Sequence, residues 1–347
     1  MGVPIAANPP RETLMYAHAH APCRIGIAGG GTDLPAWTRK RPGLCLSLAI
    51  DTYAHAVAIT RRDGQVVASY RQRDVASCAT EIANGLIRES ALIHGWEDGF
   101  EVHTLSEVSS LGSGLGVSSS IAVALAAAFA RMSLIRNGVT VEPKWLDGGE
   151  PIFQQDVAKA AWTVEIDRLH RPIGRQDHMA ATHGGLRIYR FEGDAATIEK
   201  TFSEGDAQWV ASHLALVTLP DGHDSRAILS HVSRTQQLQD SYDAVPVALR
   251  AIETHDARAL GAAVDMCHSS KDTIPGAVTE AIRYARKTLL TESHGFGCKV
   301  AGAGGGGHLV VVHDGSDDAI ERIGRSCGLP ARAVRPDLRG VQSETQP

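Results

Sequence analysis

Ser109-Ser110-Leu111-Gly112-Ser113-Gly114-Leu115-Gly116-Val117-Ser118-Ser119-Ser120 runs without a break into Ile121-Ala122-Val123-Ala124-Leu125-Ala126-Ala127-Ala128-Phe129. The first part is mostly glycine and serine, whose small side chains leave backbone N–H groups uncovered. The second is apolar and alanine-rich and predicts a buried helix over 118–134. A loop of bare amides feeding a helix N-terminus is a phosphate cradle, because unsatisfied N–H groups and the helix dipole both favour an anion. A serine-capped turn ahead of a buried helix is the plainer reading of the same residues. Two further glycine clusters, at 29–31 and 302–307, favour the cradle, since three such loops suit a polyanion gripped from several sides.

None of the clusters fits a common nucleotide motif. Gly302 and Gly307 have the spacing of G-x-x-x-x-G-K-[ST], but His308 stands where lysine is needed. The dinucleotide form G-x-G-x-x-G fails at Val117, and it fails again after Gly26, where Ala28 occupies the second glycine position. An oxidoreductase reading is correspondingly weak.

The chain has 347 residues, 43% hydrophobic and 21% charged. That is enough for one large domain or two ordinary ones with a solid core. A net charge of -5 without segregated basic residues argues against a nucleic-acid or membrane-surface partner. Six cysteines without a C-x-x-C pair are expected as buried free thiols. No basic segment followed by an apolar run opens the chain, so no signal peptide is expected. Ile121–Phe129 is too short to span a bilayer, and the cytoplasm is the expected location. His18, His20, His55 and His178 lack the close spacing of a zinc site. Trp37, Trp145, Trp162 and Trp209 read as core rather than as platforms for adenine.

Along the chain, Tyr16–Ile27 predicts an edge strand, because Pro22 lacks an N–H. Leu44–Ile50, Ala54–Arg61, Gln65–Tyr70, Phe100–Leu105 and Leu186–Phe191 predict strands, with helices over 74–94 and 151–169. Beyond Gly193 the texture changes. Trp209–Thr218 and His308–His313 read as strands. Ser225–Leu238, Ala244–Arg258, Ala277–Leu290 and Asp318–Cys327 read as helices, before a polar tail. Strands and helices do not alternate regularly, so a doubly wound sheet is disfavoured. Two units dividing near residue 200 (1–200 and 201–347) are expected.

Phosphate chemistry needs acids beside the cradle. Ser118, Ser119 or Ser120 could offer a hydroxyl to Mg²⁺, a hard cation that prefers oxygen. Glu165 and Asp177 flank a glycine-containing turn. One could hold the metal while the other orients or deprotonates an attacking hydroxyl. Arg175 and Arg226 could hold a distal substrate phosphate, since guanidinium matches phosphate well.

With these residues in view, the chain resembles the GHMP-type small-molecule kinases. Three motifs appear in order: Ala21-Pro22-Cys23-Arg24-Ile25-Gly26-Ile27-Ala28-Gly29-Gly30-Gly31-Thr32-Asp33-Leu34-Pro35, the Gly/Ser loop 112–120, and Lys299-Val300-Ala301-Gly302-Ala303-Gly304-Gly305-Gly306-Gly307. The first and third are most similar to the D-glycero-D-manno-heptose 7-phosphate kinases, with fucokinase-like domains close behind. Gly174-Arg175-Gln176-Asp177, then Ala180-Ala181 and Gly184-Gly185, resembles their Lys-Gln-Asp-Gln-Tyr-Ala-Ala…Gly-Gly stretch, with His178 and Met179 departing from it.

The resemblance implies an α+β, two-domain fold, with a first domain like domain 2 of ribosomal protein S5 and a ferredoxin-like second. It implies ATP and Mg²⁺ as cofactors and phosphorylation of the anomeric hydroxyl of a sugar phosphate, by a monomer or homodimer. L-fucose or an octose phosphate is an alternative acceptor, and a catalytically silent ligand-binding regulator an alternative role. By the same resemblance Asp177 contacts the acceptor hydroxyl and Arg24 offsets phosphoryl charge. Gly112, Ser113, Gly114, Leu115, Gly116, Val117, Ser118 and Ser119 cradle the nucleotide. Ser118 (or Ser119) and Glu165 hold the metal. Gly30, Gly31, Thr32, Asp33, Arg175, His178, Lys271, Gly304 and Gly305 are the expected substrate contacts.

Overall fold

The computed structural model describes residues 14–108, 112–137, 151–220, 228 and 238–346. Residues 109–111, Trp145, Arg226 and nearly all of the helix expected over 225–238 lie outside them.

Two sheets carry the fold. The larger has the order β12-β1-β2-β5-β3-β4, with β6 on β2 and β7 on β6. Its strands are β1 (Tyr16–Ala28), β2 (Gly43–Thr60), β3 (Val66–Ser69), β4 (Arg73–Ala76), β5 (Phe100–Ser106), β6 (Leu186–Glu192), β7 (Ala195–Thr201) and β12 (Gln342–Gln346). The smaller has the order β11-β8-β10-β9, from β8 (Leu214–Thr218), β9 (Gly297–Val300), β10 (His308–Val312) and β11 (Ala331–Ala333). All its pairings are antiparallel. The α+β class that the resemblance implies therefore holds, and the sheet is not doubly wound.

The central element is the helix after the Gly/Ser loop, Val117–Arg136, called α3 in chain order after α1 (Pro35–Thr38) and α2 (Gly85–Ile93). Ala17, Ala19 and Ala21 alternate along β1 with no exposure. They give α3 a smooth floor, and α3 answers with Ala122, Ala124, Ala126, Ala127 and Ala128, all in the same core. A helix apolar on every side is a core helix. By length and composition α3 could cross a membrane, yet 67% of its apolar 18-residue stretch is buried inside the protein.

Several expectations are corrected. The two strands predicted over 44–61 are one strand, whose register against β1 slips between Pro22 and Cys23. Pro22 is thus placed at an irregularity rather than on an edge strand, and β1 is flanked by β2 and by β12. The helix predicted over 74–94 holds only in its second half: its first half carries the end of strand β4 and a short 3-10 turn, and α2 begins after Asn84 caps it. The strand predicted from Trp209 begins at Leu214, because Ser203 and Asp206 form a capping box that starts a helix over Glu204–Ser212. Ala257–Asp272 was missed as a helix, although Asp256 caps it. The supposed polar tail is β12, paired with Tyr16–His20. Arg131 of α3, fully buried, donates to Ser343 Oγ at 2.9 Å and holds that strand down. The last strand is therefore an exception to any division of the chain near residue 200. All six cysteines are free, four of them buried.

Candidate active site

The Gly/Ser loop ends in left-handed backbone: Gly112, Gly114 and Gly116 have φ of 64°, 75° and 77°. Gly116 is the N-cap of α3, and no side chain caps the helix. The serines are used elsewhere. Ser118 Oγ and Ser119 Oγ each donate to a Glu165 carboxylate oxygen at 2.7 Å, and Ser120 Oγ donates to the Pro22 carbonyl at 2.9 Å. The capped-turn reading therefore fails. The first amides of α3 are left to face outward with the positive end of the helix dipole.

The third glycine cluster packs directly on this loop. A Cβ on Gly114 would lie 2.7 Å from the Ala301 carbonyl, and one on Gly302 would lie 2.7 Å from Gly114 Cα. Gly114→Ala is expected to lower stability by about 1–3 kcal/mol, the usual scale for overpacking, and to weaken nucleotide binding; thermal melts and ATP titration check it. Lys271 braces the same place: its Nζ donates to the Gly302 carbonyl at 2.6 Å and also to the Val300 carbonyl.

Two acids stand beside the loop. Asp177, in the first turn of the helix Gln176–His183, accepts from Arg24 Nε at 2.7 Å and from Arg24 Nη2 at 2.6 Å. Arg24 Nη1 also donates to the Gly114 carbonyl at 2.6 Å, so one guanidinium ties the acid to the loop. Glu165 lies in a π-helical turn, Thr163–Arg168, the kind of local distortion often found at functional sites. It is fully buried, and burial alone would raise its pKa. The His178 bond and charge, the Arg171 guanidinium and the Ser118 hydroxyl outweigh that and hold it at about 2. Arg171 contacts both Ser118 Oγ, at 2.7 Å, and Glu165.

Asp33 reaches the same region from the first motif, accepting from the Gln176 amide at 3.0 Å. Burial pushes its pKa up to about 6. The folded state thus holds a proton that the unfolded chain releases above its ordinary value of 3.8. This group's contribution to stability therefore declines as pH rises through that window and stays unfavourable above it. Asp33→Asn is expected to melt higher than the parent at pH 8 and level with it near pH 4, as a pair of thermal scans would show.

These groups line a cleft of about 800 Å³, together with Gly30, Gly31, Lys271, Gly302 and Ala303. Other expected contacts lie elsewhere. His178 is fully buried behind Glu165, with Nε2 at 2.8 Å from Glu165 Oε2. The Thr32 hydroxyl is spent on the Gly29 and Leu44 carbonyls. Arg175 turns away to the Gly193 carbonyl and Asp194. Gly304 and Gly305 pack on Ala277, whose carbonyl takes the Gly305 amide at 2.7 Å. Leu115 is core, its carbonyl accepting from Arg24 N at 2.9 Å. Sequence reading missed Arg171, which nothing distinguishes from Arg168 or Arg175 beforehand. It also missed a second wall of the cleft, which includes Tyr70, Leu86, Ile87, Leu105 and Val108.

The family model for the GHMP kinase N-terminal domain matches residues 77–185, and that for the GHMP kinase C-terminal region matches 248–327. The D-glycero-alpha-D-manno-heptose 7-phosphate kinase of Campylobacter jejuni is 27% identical over 318 residues, 87% of this chain and 80% of that protein. Among solved structures, a D-glycero-D-manno-heptose 1-phosphate kinase from Bacteriodes thetaiotaomicron superposes with a TM-score of 0.72 at 16% identity, covering 95% of this chain and 99% of the other. Lactococcus lactis galactokinase complexed with galactose gives 0.67 at 14% identity, covering 94% of each. The two family models together take in more than half of the sequence, in the order in which its glycine loops and acids build the cleft, and the chain belongs to the GHMP kinase superfamily.

Proposed function

We propose that this kinase transfers the γ-phosphoryl group of ATP to the anomeric hydroxyl of a sugar phosphate, with D-glycero-D-manno-heptose 7-phosphate as the first substrate to test. The observation that carries the reading is Asp177, held through both oxygens by Arg24, which is itself bonded to the Gly114 carbonyl of the phosphate loop. The name of the Campylobacter jejuni relative supports the choice of sugar.

In this reading Asp177 accepts the hydrogen bond of the sugar hydroxyl and fixes its oxygen in line with the γ-phosphorus, within about 2.6–3.2 Å. An anomeric hydroxyl is more acidic than an ordinary alcohol, so a carboxylate of ordinary basicity serves. Alignment and charge neutralisation dominate phosphoryl transfer. Arg24 and the amides at the start of α3 supply fixed positive character. Ser118 and Glu165 fit Mg²⁺, for they offer hard oxygen donors, and the Arg171 side chain already sets a cation against both. When bound there, Mg²⁺ would neutralise phosphate oxygens. The wall of Tyr70, Leu86, Ile87 and Leu105 takes the purine. Asp33 accepts from a sugar hydroxyl. Lys271, which lines the cleft beside Gly302, donates a further hydrogen bond to a substrate phosphate. The 1–200 segment forms the nucleotide-binding unit and 201–347 the second, apart from the returning strand.

The test is a panel of heptose 7-phosphate, octose phosphate, L-fucose and a blank with Mg-ATP, the products read by phosphorus NMR. A new anomeric phosphate from the heptose phosphate is expected. Turnover of L-fucose alone would reassign the acceptor, and tight nucleotide binding with no turnover of any sugar would make the chain a regulator.

A further inference from the structure

His18 and His20 stand two apart on β1 and so share one face, opposite the alanines that meet α3. The β1–β2 register sets His20 directly across from His55. Each of the three is half-buried, and their ligand atoms all lie within 4.8 Å of one another. None of them lines the cleft. The spacing along the chain hides this group, because His55 joins it only through strand pairing.

The distances suit a metal. His18 Nε2 and His55 Nδ1 are 3.3 Å apart, and a tetrahedral ion with bonds of about 2.0–2.1 Å sets neighbouring ligand atoms roughly 3.3–3.4 Å apart. The outward nitrogens face carboxylates: His18 Nδ1 is 3.3 Å from Glu344 Oε1, and His55 Nε2 is 3.7 Å from Glu107 Oε1. Carboxylates in that position fix the tautomer of a ligating histidine and raise its basicity. His20 is packed edge-on against Tyr53, their ring centroids 5.0 Å apart. The ligands rise from paired strands, which hold them more firmly than loops do.

We infer that His18, His20 and His55 form a site for a borderline divalent transition-metal ion, Zn²⁺ first among them, with Glu344 and Glu107 as outer-shell partners. Imidazole donors select zinc, cobalt, nickel and copper over Mg²⁺, so the site is chemically separate from the Ser118–Glu165 oxygens. The fourth position is open to water. Because Glu344 belongs to β12, the ion would strap the last strand of the chain to the first two.

The test is equilibrium dialysis of chelator-stripped full-length protein against Zn²⁺ alone, with Co²⁺ as a spectroscopic probe. The expected result is one ion per chain at micromolar concentration, visible absorption characteristic of four-coordinate cobalt, and a rise in melting temperature with zinc. His55→Gln and His18→Gln are each expected to abolish uptake while leaving Mg-ATP turnover unchanged. Glu344→Gln is expected to weaken uptake by about 10–100-fold, and Glu165→Gln to leave it intact. If one histidine variant fails to fold, the other carries the test. No stoichiometric uptake, uptake unchanged in the histidine variants, or uptake lost with Glu165→Gln would each overturn the assignment.

Discussion

Replacing Asp177 by Asn is expected to cut turnover by at least about a hundredfold, the scale on which general-base removal acts. The fold should survive. Arg24 is 5% exposed and would lose a charged partner, but Asn keeps one oxygen for it and the Gly114 carbonyl keeps another of its N–H groups occupied. The stability loss should therefore be smaller than the roughly 3–5 kcal/mol of a severed buried pair, the more so because the carboxylate is 24% exposed. Initial rates separate the effects: kcat falls while the KM for ATP holds. A variant with parental kcat would remove Asp177 from the chemistry.

Glu165→Gln should act on two properties at once. The carboxylate has no exposure and meets Ser118, Ser119, His178 and Arg171. Neutralising it leaves Arg171 without its counter-charge and sets an amide N–H₂ among donors. A cost of about 3 kcal/mol is expected, as for breaking one partner of a buried pair, together with at least a tenfold rise in the Mg²⁺ needed for half-maximal rate, on the scale of losing a supporting ligand. The pH dependence gives an independent sign. With the folded pKa at about 2 against an ordinary 4.5, the parental carboxylate contributes stability fully above about 4.5, and that contribution disappears as pH falls toward 2. The gap between parent and variant melting temperatures should therefore be widest at neutral pH and close in acid. A constant gap would mean that Glu165 is not held as an anion.

Much of the site was legible because glycine loops and acids are local signals. Gly112 to Ser120, Glu165 and Asp177 announce themselves by residue type and order, and the helix that follows by its alanines. What escaped was whatever depends on pairing across the chain. Nothing in Gln342–Gln346 says strand; it is one because β1 offers a free edge and Arg131 lies buried beneath Ser343. Nothing near Arg171 says cleft, since the π-helical turn at Thr163–Arg168 sets which arginine faces inward. His178 was placed on the sugar because it follows Asp177, yet successive helix residues point about 100° apart. A neighbour in sequence therefore turns to the far side of Glu165. The same limit hid the histidine group on β1 and β2.

The pairing of Tyr16–His20 with Gln342–Gln346 bears on how the molecule is made. Synthesis runs from the amino terminus, so the ribosome delivers the larger sheet's final ladder only after the whole smaller sheet has emerged. Until then the outer rim of the first strand presents bare amides and carbonyls to whatever it meets, which is the situation that invites pairing with a second nascent chain. Truncations that stop short of Gln342 should accordingly accumulate in inclusion bodies, and chaperone demand should peak late in translation rather than early.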